Sequence, residues 1–446
     1  MFNRKQRMSN AQVIALGFIV VIIIGTFFLT LPIASRNGEW TNPIDALFTA
    51  VSSTCVTGLV VVDTYTHWTV FGQLVILFMI QIGGLGFITM GVMLSLLLKK
   101  KIGLANRSLI QESVNSMCLS GVVRLVRHIL VGTLCFELIG GIFLSIRFVP
   151  KMGFLRGIYN GLYHSVTAFC NAGFDLMGRY SEYSSLSGWY DDAVVNITIM
   201  LLIIVGGLGF IVWDDIYYNG LHLKKYSLHT KIVLVSTAVL VFVPAFLFSV
   251  FERNGLMKDM SLYEKIITSL FASVTARTAG FNTIDVGSMS QASKLLTDIL
   301  MFIGGCPGST AGGVKTTSVV VIIVYIWSNL RNMSGCNIGG RRIGDEDVKK
   351  ASMVIGLNFI LALTALLIIT SVQGFNMDDL LLEVFSAIGT VGLSTGITRQ
   401  LNIVSKVVIM MLMYCGRIGS MTFALTFAYK RQKPPVLLPE EHVNIG

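Results

Sequence analysis

"SLFASVTARTAGFNTIDV", residues 269–286, is apolar enough to enter a membrane but too short and too polar to cross one. It opens as a half-length helical pattern, passes through Ser, Thr and Ala, and reaches Gly280 followed by Phe281. Three other stretches follow that plan: "DALFTAVSSTCVTGLVVVD" (45–63), "GLYHSVTAFCNAGFDLMG" (161–178) and "LLEVFSAIGTVGLSTGIT" (381–398). Their glycines, Gly58, Gly173, Gly280 and Gly392, stand 115, 107 and 112 residues apart. The chain therefore reads as four copies of one unit.

Each stretch lies between two apolar runs of about the 20 residues a bilayer core requires. Spans are expected over 11–33, 71–98, 122–147, 193–213, 229–251, 350–372 and 403–429, with a broken span over 294–329. The expected fold is an all-α integral membrane protein with four tandem helix, re-entrant loop, helix repeats. Its eight spans and four loops would surround one pseudo-fourfold pore. The repeats are placed at 1–105, 106–225, 226–345, which carries the broken second span, and 346–446, which includes a C-terminal tail. A second motif runs in phase: GGLGF at 83–87 and 206–210, GGCPG at 304–308 and GRIGS at 416–420. Most of its glycines read as small-residue packing sites between helices.

Composition agrees. The 446 residues are 53% hydrophobic and 13% charged, where soluble domains carry roughly 25% charge, and the mean hydropathy is +0.73. No stretch is left for a soluble catalytic domain. The apolar core after "MFNRKQRMSN" is too long for a signal peptide and is needed as the first helix. Seven cysteines (55, 118, 135, 170, 306, 336, 415) form no CxxC pair, so they read as buried residues or free thiols, not a disulfide frame or metal site.

The net charge of +10 could suggest nucleic acid, but the cations are grouped as a membrane topology requires. They gather at Arg4, Lys5 and Arg7; at Lys99, Lys100, Lys101, Arg107, Arg124 and Arg127; at Lys224, Lys225 and Lys231; at Arg331, Arg341, Arg342, Lys349 and Lys350; and at Lys430, Arg431 and Lys433. These clusters hold 20 of the 34 basic residues and fall on one face if the chain crosses an even number of times between them. The positive-inside rule then makes this a multi-pass plasma-membrane protein with both termini cytoplasmic.

Non-helical backbone at membrane depth survives only where protein buries it or where it lines a watery cavity. Four such loops imply a shared axial pathway. The approach to each glycine offers backbone carbonyls and almost no carboxylates, whereas Ca²⁺ or Mg²⁺ would call for carboxylate oxygens. Carbonyl rings suit a weakly hydrated monovalent cation, so potassium is favoured. The expected coordinating positions are Val56, Thr57 and Gly58; Asn171, Ala172 and Gly173; Thr278, Ala279 and Gly280; and Thr390, Val391 and Gly392. The negative C-terminal end of each half-helix would add attraction. With one glycine per loop, few coordinating layers and loose selectivity are expected.

"GGCPGSTAGGVKTTS", 304–318, resembles a phosphate-binding loop, but Val314 separates Gly313 from Lys315 and the flanks are membrane spans. Five glycines and a proline cannot stay helical or face lipid, which puts the segment in the pathway below the loops. A movable obstruction there would involve Gly304, Gly305, Pro307, Gly308, Ser309, Thr310, Gly312, Gly313 and Lys315; a static kink is the alternative. Arg417 lies mid-span in "VVIMMLMYCGRIGSMTFALTFAY" (407–429), at the repeat position of Gly84, Gly207 and Gly305. A charge there is costly unless it faces the interior. It reads as an electrostatic barrier that completes the gate.

The fourfold unit, the single glycine per loop, the "TAGFNT" of the third loop and the glycine-rich break resemble the Trk/Ktr/HKT superfamily of potassium transporters, most closely the membrane subunit of bacterial Ktr systems. The resemblance implies that Gly58, Gly173, Gly280 and Gly392 are selectivity-filter glycines, that Gly58 indicates potassium where plant relatives with serine prefer sodium, and that 304–318 and Arg417 gate the pore. It also implies a homodimer on a KtrA-like cytosolic ring of nucleotide-binding regulatory subunits. The protein itself would hold no covalent cofactor and would meet nucleotide only through that partner. Whether sodium is cotransported or stimulates stays open, and a sodium or broad monovalent-cation transporter of the same architecture is the alternative reading.

Of the remaining charges, Asp63, Asp175 and Asp285 read as an attractive outer mouth or as ordinary loop carboxylates. Arg277 is expected in a structural pairing, with Glu383 one partner, and Glu137 beside a neighbour. His164 and the other histidines have no metal-ligand spacing. Alternating access would need inverted halves, whereas the four copies run in one direction. A membrane enzyme would need a convergent catalytic cluster that is missing from the sequence.

Overall fold

The computed structural model describes residues 9–98, 103–113, 121–333, 335–427, 439 and 441. Of the basic clusters, Arg4, Lys5, Arg7, Lys99, Lys100, Lys101, Lys430, Arg431 and Lys433 lie outside those residues, as does Cys118.

Four units follow one another. The first comprises α1 (Asn10–Thr30), a short helix α2 (Pro43–Thr54), and α3 (Val70–Leu85) with α4 (Phe87–Leu97). After α5 (Leu104–Ser113) the second has α6 (Val122–Met152), α7 (Phe154–Phe169), α8 (Ala193–Gly207) and α9 (Phe210–Asn219). The third has α10 (Leu228–Phe251), α11 (Leu262–Thr275), α12 (Gln291–Phe302) and α13 (Thr316–Leu330). A two-stranded antiparallel hairpin, β1 (Asn337–Ile338) and β2 (Arg341–Arg342), leads to α14 (Asp345–Val372), α15 (Met377–Gly389), α16 (Ile403–Ile418) and α17 (Ser420–Phe427). The connecting helix α5 and the hairpin carry no signal in the repeat pattern.

Polar residues set where helices start. Ser9 and Ser261 form capping boxes with Gln12 and Glu264. Asn42, Thr69, Asp192, Ser227, Ser290 and Asn402 accept from backbone N–H groups in the first turns of α2, α3, α8, α10, α12 and α16. The leading helices α1, α6, α10 and α14 are long and apolar enough to cross a membrane. They turn apolar side chains outward, among them Ile23, Ile142, Phe242 and Leu367. The small polar residues of the short helices are buried instead, including Ser52, Ser53, Ser165, Thr167, Ser269, Ser273 and Ser386. This inside-out distribution suits hydrocarbon surroundings and a polar axis.

One expectation is corrected. The sequence predicts a single broken second helix, in the third unit, and the structure breaks all four. The pairs α3/α4 and α8/α9 bend by 97° and 95° and are together apolar enough for a broken span. The α16/α17 pair breaks at Gly419, and α12 is separated from α13 by 303–315. In the first, second and fourth units the cause is the last glycine of the motif: Gly86, Gly209 and Gly419 take φ of 84°, 96° and 92°, where a right-handed helix cannot continue. Cys55, Cys170, Cys306, Cys336 and Cys415 are buried free thiols, and Cys135 is exposed.

Candidate functional site

The short helices α2, α7, α11 and α15 each end on a loop that carries one of the four glycines. In α2, α7 and α15 the chain turns over the helix end in the same way: the N–H before the glycine donates five residues back, from Thr57 to Ser52, Ala172 to Thr167 and Val391 to Ser386, each at 2.8 Å. In α11 the turn is one residue tighter, with Ala279 N–H donating to the Thr275 carbonyl at 3.0 Å. Serine hydroxyls then hold two of the glycines, Gly58 N–H on Ser52 Oγ (3.1 Å) and Gly392 N–H on Ser386 Oγ (3.0 Å).

The glycines adopt φ of 94°, 66°, 79° and 97°. Two residues earlier, Val56, Asn171, Thr278 and Thr390 are also left-handed, at 58°, 59°, 70° and 52°. That conformation costs an L-residue about 1–2 kcal/mol, most for β-branched side chains. Its recurrence at one position of all four units marks a backbone held in place by its surroundings.

The loops close a ring. A Cβ on Gly58 would lie 2.5 Å from the Ala172 carbonyl oxygen. On Gly173 it would strike Ala279 O, on Gly280 Val391 O, and on Gly392 Thr57 O. Each glycine thus abuts the carbonyl that precedes the next glycine, and the fourth returns to the first. Asn171 and Thr278 side chains also meet across neighbouring loops at 3.2 Å. All four glycines line one cavity of about 150 Å³.

Asp63, Asp175 and Asp285 line the same cavity, so the three carboxylates singled out in the sequence do come together. Each also braces backbone. Asp63 accepts from Tyr65, Thr66 and Tyr183 N–H, Asp175 from Met177 N–H, and Asp285 from Gly287 N–H. Arg399, which the sequence reading missed, lines the cavity too, its guanidinium 4.1 Å over the Tyr183 ring. His164 is buried as the Nδ1–H tautomer: Nδ1 donates to Asn160 O, and Nε2 accepts from Leu176 N–H just past the second loop.

Beneath the ring lies the 303–316 segment. Its backbone crosses the motifs of the second and fourth units: Cys306 N–H donates to Gly207 O (3.1 Å), Thr310 N–H to Gly206 O (3.2 Å) and Gly313 N–H to Gly416 O (3.2 Å), while Gly308 O accepts from Phe210 N–H (2.8 Å). Thr310 Oγ1 reaches Phe169 O at the end of α7 (3.2 Å), and a Cβ on Gly312 would strike Thr390. Gly304 and Gly305 accept from Thr316, Ser309 Oγ donates to Cys306 O, and Lys315 Nζ donates to Ala311 O at 2.7 Å. Pro307 faces the α8/α9 break, where its carbonyl opposes Gly209.

Arg417 ties these parts together. Its guanidinium donates to Thr310 O in the segment and to Gly83 O (2.5 Å) and Gly84 O (2.9 Å) in the first unit. Three carbonyls meet the charge in the interior, which is how a mid-span arginine becomes affordable. The motif glycines make this closeness possible, since Gly83, Gly206 and Gly416 sit against the terminal carbonyls of α2, α7 and α15, with no space for a Cβ.

Two side-chain expectations resolve differently. Glu137 is paired as expected, accepting from Gln81 Nε2 (3.3 Å) beside Cys170. Arg277 does not pair with Glu383. Glu383 is taken by the Ser394 and Thr398 hydroxyls at 2.8 and 2.5 Å, and Arg277 lies against Cys306. The nearer hydroxyls, eleven and fifteen residues on in the same unit, satisfy the carboxylate first.

A family model described as TrkH, cation transport protein, matches residues 3–229 and 226–435. The potassium/sodium uptake protein NtpJ of Enterococcus hirae is 39% identical, with 99% of this chain and 98% of that protein aligned. The Ktr system potassium uptake protein B of Bacillus subtilis is 40% identical over 99% and 97%, and its namesake from Vibrio alginolyticus 34% identical over 99% and 96%. Among solved structures, the potassium transporter TrkH from Vibrio parahaemolyticus shares the fold with a TM-score of 0.75 at 17% identity, covering 96% of this chain and 87% of that one.

Proposed function

The chain belongs to the TrkH family of cation transport proteins, and on that premise we propose that it takes up potassium across the plasma membrane through the axis of its four loops. The family is one of transporters, not of enzymes. In this reading the filter is formed by the carbonyls of Val56, Thr57 and Gly58, Asn171, Ala172 and Gly173, Thr278, Ala279 and Gly280, and Thr390, Val391 and Gly392. The observation that carries it is the closed ring, in which each glycine lies against the carbonyl preceding the next. A cation leaving the outer cavity would exchange its water for these oxygens, at the focus of four short-helix C-termini that each carry about half a negative charge.

The gate is the segment from Gly304 to Lys315 together with Arg417. Hydrogen bonds from this segment to the second and fourth units, and from Arg417 to Thr310, support an obstruction that closes the inner end of the axis. Units at 1–105, 106–225, 226–345 and 346–446, cytoplasmic termini, a homodimer and a KtrA-like nucleotide-binding ring below it complete the proposal. The partners rest on the likeness to Ktr system proteins.

A second reading, a sodium or broad monovalent-cation carrier, is favoured by the name of the E. hirae relative, a potassium/sodium uptake protein. Rubidium and sodium flux into proteoliposomes of the purified chain tests both. Rubidium entry that sodium does not compete with supports the first reading, and equal competition supports the second. A protein that carries no monovalent cation sinks both.

A further inference from the structure

Between α10 and α13 runs a cleft of about 510 Å³, within the range of ligand sites, about 300–1,000 Å³. Its walls are aliphatic, and Val235, Val239 and Ile323 expose half or more of their surface there. In a membrane such a cleft is continuous with the acyl chains. At one end the lining turns cationic, with Lys231 on α10 and Arg341 on β2. No carboxylate lines it, and neither cation has an ion-pair partner among the described residues. Lys231 Nζ donates to Lys224 O at 3.1 Å, which leaves further donors of its ammonium for another acceptor.

The cleft also touches both ends of the segment beneath the ring. Ile303 is the residue that ends α12, and Thr316 is the first of α13; both line the cleft. Thr316 holds the segment's start through its N–H on Gly305 O and its hydroxyl on Gly304 O. The comparable cleft between α6 and α9 is lined by one cation without an ion pair among the described residues, Arg127, and by a carboxylate. His128 is already paired with Asp214 at 3.1 Å, the aspartate lines the cleft, and no residue of 303–316 reaches it.

We propose that the α10/α13 cleft binds an anionic phospholipid, its phosphate between Lys231 and Arg341 and an acyl chain against Ile303 and Thr316, so that lipid occupancy sets the freedom of the 303–316 segment. Charge complementarity selects the occupant: two unpaired cations at the end of a hydrocarbon-filled cleft fit a negatively charged headgroup. Only the effect on flux rests on the transport reading.

Native mass spectrometry of the full-length protein, with phosphatidylglycerol or phosphatidylcholine added, reads binding directly. Phosphatidylglycerol is expected to be retained preferentially. Lys231→Gln and Arg341→Gln should each weaken retention about fivefold, the effect of one basic residue near an anionic surface. Val235→Trp should displace the lipid with both cations intact, and Arg127→Gln in the other cleft should change nothing. Equal retention of the two lipids, or a Lys231→Gln/Arg341→Gln protein that retains phosphatidylglycerol like the parent, overturns the proposal. So does a disulfide between two copies of an Ile323→Cys variant, which would make a second protomer the occupant. In proteoliposomes, rubidium flux should depend on phosphatidylglycerol in the parent and lose that dependence in the double variant. Flux insensitive to phosphatidylglycerol overturns the link to the segment. Retained lipid with no flux in any liposome supports the site and removes the transport reading instead.

Discussion

At Gly58 a side chain has nowhere to go: φ is 94°, and a Cβ would push on the Ala172 carbonyl oxygen, part of the proposed coordination ring. Gly58→Ser should add about 1–2 kcal/mol of backbone strain and displace that oxygen, leaving a folded protein in which sodium competes with rubidium uptake. Unchanged competition would remove Gly58 from the filter. At Arg417 the argument is electrostatic. A cation about 8 Å from a fixed charge is repelled by about 2 kcal/mol at an effective dielectric of about 20. Arg417→Gln removes that repulsion and the hydrogen bond to Thr310, so rubidium flux should rise about thirtyfold in a protein that still folds; flux at the parental rate would refute the barrier. Both residues were legible in the sequence because a fourfold repeat gives every position an address. The left-handed backbone at Val56, Thr278 and Thr390 was not, since β-branched residues avoid that region and only the assembled ring imposes it. Arg399 was missed for a related reason, its place in the cavity depending on how the loop after the fourth glycine folds over Tyr183.

The second helix of each unit shows what apolar runs conceal. Hydropathy continues unbroken across Gly86, Gly209 and Gly419, so a window of about 20 residues reads one straight span, while a left-handed glycine interrupts the helix at each, with bends of 97° and 95° in the first two units. Only the third unit, with Pro307 and five glycines, announces its break in composition. The α8/α9 break receives the 303–316 segment, with Phe210 N–H on Gly308 O. Shortening that segment within 305–315 should therefore speed rubidium flux without unfolding the unit, whereas unchanged flux in a folded protein would make it a static kink. Buried Glu252, just past α10, joins that helix to α12 by accepting from Ser290 N–H and Oγ at 2.9 and 2.8 Å. Burial acts to raise its carboxyl, but hydrogen bonds from Ser293, Ser290 and Leu256 outweigh it and hold the group below the usual glutamate range. A depressed folded-state value means the stabilisation is complete above about pH 4.3, the ordinary glutamate value, and is lost as pH falls through the folded value. Glu252→Gln should thus melt earlier than the parent at neutral pH, by the about 1.5–3 kcal/mol of hydrogen bonds to a charged group. The melting gap should close below about pH 4; a gap that is constant with pH would show that the carboxylate's charge plays no part.

For the whole molecule, four units running in one direction with short connections place consecutive loops side by side, and the ring closes in chain order, Gly58, Gly173, Gly280, Gly392 and back to Gly58. The repeat made that architecture readable; contacts such as Arg417 with Gly83, 334 residues apart, required the assembled fold. The charge distribution extends the argument to orientation. Outside the five basic clusters, 14 cations remain, and Arg277, Lys315 and Arg417 lie near the axis. Several of the rest are engaged on the other face: Arg147 with Asp192, Lys294 with Asp379, Lys406 with Asp45, and Arg36, Lys151 and Arg399 over Tyr65, Trp189 and Tyr183. The clustered face instead presents Lys224, Lys225, Lys231, Arg341 and Lys349 without a carboxylate partner among the described residues. The positive-inside rule predicts that this face stays in the cytoplasm. Cysteines placed at the exposed positions Glu39 and Lys258 should therefore react with a membrane-impermeant thiol reagent on intact cells, and those at Lys224 and Lys349 only after the membrane is opened. The reverse pattern would invert the protein and put the 303–316 segment on the outer side of the ring, where it could not serve as an inner gate. Labelling of all four positions on intact cells would deny the eight crossings on which the fourfold pathway depends.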